Sequence, residues 1–125
     1  MDFFKAYNDR YGHLAGDDVL RQVAAKISCG LRTVDTAYRY GGEEFLVVLP
    51  EQDAGTAAAI TDRLRQAVED SGIPHANGGP SGVLTISAGV AVSTESGDAD
   101  GLLKAADKAL YAAKSGGRNR VALAG

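Results

Sequence analysis

Two glycines followed by two glutamates, Gly41-Gly42-Glu43-Glu44, stand between the runs Thr36 to Tyr40 and Phe45 to Leu49. The pattern reads as a β-hairpin closing on a tight, glycine-permitted turn with Glu43 and Glu44 at its tip. Removing side chains at Gly41 and Gly42 lets another backbone or a ligand approach closely. Clustered carboxylate oxygens suit Mg²⁺, which keeps some waters and shares substrate phosphates. Taken alone, the tetrapeptide is weighted toward an ordinary solvated acidic turn.

A second polar cluster precedes it. Phe4-Lys5, Asn8-Asp9, Gly12-His13 and Gly16-Asp17 form a dense run of polar residues and glycines. A carboxylate accepts from two adjacent N–H donors, and guanine offers N1–H and N2–H₂ on its Watson–Crick edge. Adenine presents an acceptor at the equivalent ring nitrogen. Asn8 and Asp17 together suit a guanine edge. Asp17 also has the simpler role of helix N-cap, and the two roles are compatible. His13 is weighted toward a packed loop histidine over a catalytic base. Near the C-terminus, Lys114 and Arg118 bracket Ser115-Gly116-Gly117. Two cations across a flexible turn can converge on a polyphosphate. The plainer reading is charge that complements a helix dipole.

The elements that must position these residues are legible. One amphipathic helix starts at Asp17 and carries Leu20, Val23, Ala24, Ile27 and Leu31. A second runs from about Gly55 to Ser71 on Ile60, Leu64, Ala67 and Val68. A third runs from about Ala99 to Ser115 on Leu103, Ala106, Leu110 and Ala113. A short helical stretch covers Phe3 to Tyr11. Pro50 ends the second hairpin strand. Val83 to Ser93 is β-rich, with Gly89 as a bulge, and Val121 to Leu123 is a short final strand. Gly72 to Gly82, with its glycines and prolines, is expected to be a mobile loop. Helices and strands are interspersed and one strand pair is antiparallel, so α+β is favoured over a doubly wound fold.

The chain has 125 residues, which sets one domain as the expectation. Apolar residues at 45% and charged residues at 23% argue against disorder. Thirteen Lys and Arg against sixteen Asp and Glu leave a net charge of −3, a poor balance for a general nucleic-acid binder. No apolar run approaches membrane-spanning length, and no signal peptide is visible. The single cysteine, Cys29, excludes an internal disulfide framework and is expected to be a small buried or half-buried filler. A reducing, cytoplasmic setting fits.

Four ordered motifs then add up to a resemblance. They are Phe4-Lys5-x-x-Asn8-Asp9, Gly12-His13-x-x-Gly16-Asp17, Arg39-x-Gly41-Gly42-Glu43-Glu44-Phe45, and Ala106-Asp107-x-Ala109-Leu110-Tyr111-x-Ala113-Lys114-x-x-Gly117-Arg118-Asn119. Together they closely resemble the GGDEF domain of bacterial diguanylate cyclases, in its GGEEF form, over essentially the whole chain. The resemblance implies a central, mainly antiparallel sheet flanked by helices, similar to nucleotidyl cyclase and polymerase palms. It implies condensation of two GTP into cyclic di-GMP with release of pyrophosphate, at a site formed between two copies in a two-fold arrangement. Glu43 and Glu44 would hold Mg²⁺ (or Mn²⁺), and Glu43 would activate the 3′-hydroxyl. Asn8 and Asp17 would bind guanine, with His13 near the nucleoside. Lys5, Lys114 and Arg118 would hold phosphates. Arg32-Thr33-Val34-Asp35 matches the family's RxxD product-inhibition site, with Arg63 as a weaker second arginine. At ~3.3 Å per strand residue, that motif is expected roughly 15–20 Å from Glu43.

One departure is at the start. The family has an apolar strand ending in Asp-x-Asp-x-Phe-Lys. Here Asp2 is the second Asp, Met1 stands before it, and the first Asp is absent with its strand. In the family the metal would also take the backbone carbonyl at Met1's position. The expectation is a fragment of a longer protein, with Met1 internal to it; the rival is a short protein with a crippled metal site. The alternative function is a catalytically impaired module that binds GTP or cyclic di-GMP. Synthesis of an adenine-containing dinucleotide is disfavoured by Asp17.

Overall fold

The computed structural model describes residues 1–93 and 97–125. In chain order the elements are α1 (Phe4–Tyr11), α2 (His13–Cys29), β1 (Thr36–Arg39), β2 (Phe45–Val48), α3 (Ala54–Asp70), β3 (Ala88–Val90), α4 (Ala99–Ser115) and β4 (Val121–Leu123). The apolar stripe of α2, Val19, Leu20, Val23 and Ile27, is buried against Phe4 and Tyr7 of α1, Leu64 and Val68 of α3, and Leu84. That is the core, and it follows the helical spacing of the sequence.

The start of α2 departs from expectation. The helix begins at His13, and its N-cap is Gly12 at φ 90° with no side-chain cap bond. Gly12 donates its N–H to the Asn8 carbonyl (2.8 Å), ending α1, and accepts from the Gly16 amide (3.0 Å), opening α2. One residue in the left-handed half of φ space therefore joins two helices, as glycine permits. Asp17 lies one turn inside the helix and caps nothing. Helices α3 and α4 do have carboxylate caps: Asp53 accepts from the Thr56 amide at 2.7 Å and Asp98 from the Gly101 amide at 2.6 Å.

Strands β1 and β2 form the expected antiparallel hairpin, with Ala37 opposite Val47 and Arg39 opposite Phe45. Ala37, Phe45 and Val47 pack on the core, while Tyr38 and Val48 on the other face are exposed. Strands β3 and β4 pair in parallel, Gly89 opposite Ala122, with no extra residue in the register. The expected bulge at Gly89 is therefore absent. A Cβ there would overlap the Ala106 carbonyl oxygen and the Leu110 amide nitrogen of α4. Glycine is needed because a helix backbone lies directly on the strand.

The α+β class holds, and the strands lie in two separate pairs, one antiparallel and one parallel. Met1 and Asp2 bond to the hairpin tip and to the segment that precedes β3. The Met1 nitrogen donates to the Glu43 carbonyl at 3.3 Å, and the Asp2 amide donates to the Thr85 carbonyl at 3.0 Å. Only Ala88–Val90 of the β-rich 83–93 stretch is regular strand. Its beginning turns back on the preceding segment instead: the Leu84 amide donates to the Ile73 carbonyl (2.8 Å) and the His75 amide to the Gly82 carbonyl (2.9 Å). Residues 72–82, expected to be mobile, are thereby anchored. His75 is fully buried, edge-on to Tyr7 with centroids 5.1 Å apart, and its Nε2 lies 3.0 Å from the Phe3 carbonyl oxygen. Cys29, expected inside, is exposed at the end of α2. Among the described residues no helix is long and apolar enough to cross a membrane.

Candidate functional site

The hairpin tip is closed by hydrogen bonds. The Tyr40 amide donates to the Glu44 carbonyl (2.8 Å), and the Gly41 carbonyl accepts from the Glu44 amide (3.3 Å). The Arg39 guanidinium folds over the turn and donates to the Gly42 carbonyl at 2.7 and 3.1 Å. Neither Gly41 nor Gly42 has a positive φ, so the turn does not demand glycine for its backbone. A Cβ at Gly42 would meet open space, and one at Gly41 only ordinary contact with Glu44. The two glycines leave room beside the tip, which is the steric condition for a ligand to reach Glu43 and Glu44. Glu43 is half-buried and Glu44 exposed.

The start of α1 faces this tip through Met1. Burial, the foremost influence, holds the Met1 amino group below its usual range; Asp2 and Glu43 pull it up, Lys114 pushes it down, and Glu44 pulls it up. Glu43, Glu44 and Lys114 therefore each lie near enough to the Met1 nitrogen for their charges to act on it. Phe3, the N-cap of α1, has φ 55° and no side-chain cap bond. The first helical amides have no intrahelical acceptor, which makes such an end attractive to anions. Lys5 is exposed in that first turn. The Arg118 guanidinium lies over the Phe3 ring at 4.5 Å. Two of the expected phosphate ligands, Lys5 and Arg118, therefore flank the same helix start.

Asn8 projects from α1 across Gly16 of α2, where any Cβ would overlap its side chain. Its Oδ1 is shielded from solvent and has no hydrogen-bond partner among the described residues. A buried amide oxygen without a donor is costly, and a ligand N–H satisfies it. Asp17, the next residue after Gly16, is exposed and lines a groove of about 390 Å³ between α2 and the hairpin, together with Leu20, Arg21, Arg39 and Phe45. It has no capping role, and no hydrogen bond among the described residues engages its carboxylate. His13 is the exposed first residue of α2 rather than a packed loop histidine.

The metal donors that the resemblance implies, the Glu43 and Glu44 carboxylates and the Met1 carbonyl, are all hard oxygen, the kind that suits Mg²⁺ or Mn²⁺. Among the described residues no group of three His, Cys, Asp or Glu side chains gathers to cage a metal. Asp2 does not join the set. Its side chain is committed to the Thr85 hydroxyl (2.7 Å), the Ser87 hydroxyl (2.6 Å) and the Asn119 amide (3.0 Å).

Arg32 and Asp35 are closed on each other. The guanidinium donates to the carboxylate at 2.7, 3.1 and 3.2 Å, and the Arg32 amide donates to it at 2.8 Å. Arg32 also donates to the Pro50 carbonyl at 3.0 Å, and the Gln52 side-chain oxygen, turned toward it, accepts at 2.7 and 3.0 Å. The Asp35 side chain is 1% exposed and that of Arg32 45%. The Arg32 hydrogen bond holds the Asp35 carboxyl below its ordinary range. Arg63 is exposed on α3, and no hydrogen bond or ion pair among the described residues joins it to Arg32 or Asp35.

Sequence reasoning left Asp2, Asn119, Glu69 and His75 without roles. Asn119 at φ 47° follows Arg118 at φ 64°. The Asn119 amide group donates to Glu69 at 2.6 Å and accepts from Arg65 at 2.9 Å. The available signal was the Gly-Gly-Arg-Asn turn, because asparagine tolerates left-handed backbone. Nothing in the sequence marks the Glu69 or Asp2 partners.

Comparison with known proteins accords with this geometry. The family described as "Diguanylate cyclase, GGDEF domain" matches residues 1–120. Diguanylate cyclase A of Treponema denticola is 47% identical over 124 residues, covering 98% of this chain and 33% of the relative. Response regulator PleD of Caulobacter vibrioides is 43% identical over 122 residues, covering 97% of this chain and 27% of PleD. The chain spans a third or less of the length of these curated relatives. Among solved structures, the GGDEF domain of DgcB from Caulobacter crescentus, in complex with c-di-GMP, superposes with a TM-score of 0.89 at 37% identity, covering 98% of this chain and 72% of that one. The active GGEEF domain of a diguanylate cyclase from Vibrio cholerae gives 0.86 at 31% identity, covering 99% and 78%. With the family pattern running from residue 1 to residue 120 and the same fold around the Gly41–Glu44 tip, the chain belongs to the GGDEF domain family of diguanylate cyclases.

Proposed function

We propose that this domain presents one GTP for condensation with a second GTP held by another copy, giving cyclic di-GMP. Each 3′-oxygen forms a bond to the α-phosphorus of the other nucleotide, each α–β phosphoanhydride breaks, and two pyrophosphates leave. The observation that carries this reading is the open hairpin tip, with Glu43 and Glu44, beside the uncapped start of α1. Glu43, Glu44 and the Met1 carbonyl would hold Mg²⁺ or Mn²⁺, which supplies charge neutralisation on the phosphates. Lys5, Lys114, Arg118 and the first α1 amides bind and orient the phosphates. Asn8 Oδ1 and the Asp17 carboxylate accept from guanine N–H groups, and His13 stands beside the nucleoside. Glu43 takes the 3′-hydroxyl proton. Product inhibition at Arg32 and Asp35, with Arg63, requires the ion pair to open so that its guanidinium and carboxylate turn to cyclic di-GMP.

Among the described residues no three His, Cys, Asp or Glu side chains gather into a metal cage, which favours a second reading, a module that holds GTP or cyclic di-GMP with little turnover. One experiment separates them. GTP is titrated into the chain with and without Mg²⁺, and the mixture is then resolved by anion-exchange chromatography. Mg²⁺-dependent binding that is lost in Glu43→Gln, with cyclic di-GMP formed, supports the enzyme. The same binding without product supports the module. Metal-independent binding that Glu43→Gln leaves intact refutes the site.

A further inference from the structure

Arg118 and Asn119 are consecutive non-glycine residues in left-handed backbone, at φ 64° and 47°. That conformation is unfavourable for residues with a Cβ and persists only where the surroundings over-determine it. The surroundings here are specific. The Arg118 amide donates to the Ala113 carbonyl at 3.0 Å, and the Arg120 Nε donates to the Arg118 carbonyl at 3.0 Å. The Asn119 amide donates to the buried Asp2 carboxylate at 3.0 Å, and its Nδ2 donates to Glu69 Oε2 at 2.6 Å. Arg65 Nη1 donates to Asn119 Oδ1 at 2.9 Å and to Glu69 Oε1 at 3.3 Å. Every polar group of Asn119 that points into the protein is thus held by a charged partner, from the chain start on one side and from α3 on the other. The outcome of the turn is that the next side chain back, Arg118, lies over Phe3 at the uncapped end of α1.

We propose that Asn119, clamped by Asp2, Glu69 and Arg65, is a positioning residue that holds Arg118 in place for the outer phosphates of the nucleotide. Asn119 itself touches no substrate. Its contribution is to fix a long, rotamer-rich side chain beforehand, so that binding does not have to order it. The inference rests on the reading of Arg118 as a phosphate ligand. It adds that a network spanning α3 and the first two residues decides whether that ligand is in register.

The test compares the chain's affinity for GTP with its affinity for GMP, by calorimetry in the presence of Mg²⁺. Arg118→Ala is expected to shrink the GTP-to-GMP affinity ratio by about tenfold or more, the scale of a charge-assisted hydrogen bond. Asn119→Ala is expected to shrink it to a similar degree, with GMP affinity nearly unchanged and with no further loss in the double variant. Asn119→Gly accepts the left-handed backbone and keeps the amide bond to Asp2 but lacks the side-chain bonds to Glu69 and Arg65, and it should behave like Asn119→Ala. The exchanged pair Glu69→Gln with Asn119→Asp reverses donor and acceptor, keeps Arg65 paired, and should restore the ratio. A wild-type ratio in Asn119→Gly overturns the proposal, because backbone tolerance alone would then suffice. Equal weakening of GTP and GMP, or losses that add to Arg118→Ala, overturn it as well. If Arg118→Ala leaves the ratio unchanged, the phosphate reading of Arg118 fails and the proposal falls with it. Urea midpoints taken in parallel identify a variant that has merely unfolded, in which case the exchanged pair carries the test.

Discussion

Replacing Gly89 by alanine separates two explanations of that glycine by the sign of the effect. Gly89 has no positive φ, so its backbone is open to any residue. Were it merely a weak point in a strand, alanine would stabilise the fold by about 0.4–1 kcal/mol, by restricting the unfolded chain. The structure demands the opposite. The new Cβ would overlap the Ala106 carbonyl oxygen and the Leu110 amide nitrogen, with the Ala109 carbonyl carbon also in close contact. All three are backbone atoms of α4, so no side chain can rotate away, and helix and strand must separate. Overpacking of this kind costs about 1–3 kcal/mol, and an unyielding neighbour places it at the upper end. With a urea dependence of about 1–3 kcal/mol per molar, a loss of about 3 kcal/mol lowers the midpoint by about 1–3 M. Against a total stability of about 5–15 kcal/mol, that loss is readily measured. The assay is equilibrium urea unfolding followed by far-UV circular dichroism. An unchanged or raised midpoint would falsify the close-packing argument. The displacement has a functional arm too, because α4 carries Lys114 and leads into Arg118. GTP affinity should fall in Gly89→Ala even at low urea, where the protein remains folded.

Three other outcomes follow from the site. Asp17→Ser should lower the preference for GTP over ATP by about 10- to 100-fold, the equivalent of about 1.5–3 kcal/mol, without lowering the urea midpoint, since Asp17 caps no helix; a drop in midpoint with preference intact would mark a structural role. Arg32→Ala should abolish calorimetric binding of cyclic di-GMP outside the GTP site, and retained affinity would leave Arg32 and Asp35 as a surface ion pair alone. The Asp35 carboxyl is held below its ordinary value of 3.8 in the folded state, so its stabilisation is complete above that value and is lost as pH falls through the lower folded value. The urea-midpoint gap between the wild type and Asp35→Asn should therefore be flat near neutrality and close only in acid, and a gap that closes above about pH 5 refutes the assignment.

The sequence by itself determined the helices, the hairpin and the ordered motifs. Helical periodicity is local, and apolar residues at three- and four-residue spacing bury one face whatever they meet. So Ala99–Ser115 matched its helix end to end, and Thr36 to Leu49 its hairpin to within a residue. The family was legible for the same reason, because each motif is contiguous. What only tertiary structure decided were the relations between distant segments. Asp17 read as a cap, yet Gly12 starts the helix because the chain turns there against α1. Gly89 read as a bulge, yet it is the place where a helix from residues 99–115 touches a strand. Residues 72–82 read as loose from their glycines and prolines, yet His75 ties them beneath Phe3, across 72 positions of chain. Asp2 meets Asn119 across 117 positions. Such contacts leave no periodic mark in the sequence, since each partner's type is compatible with many environments and only the packed fold selects one.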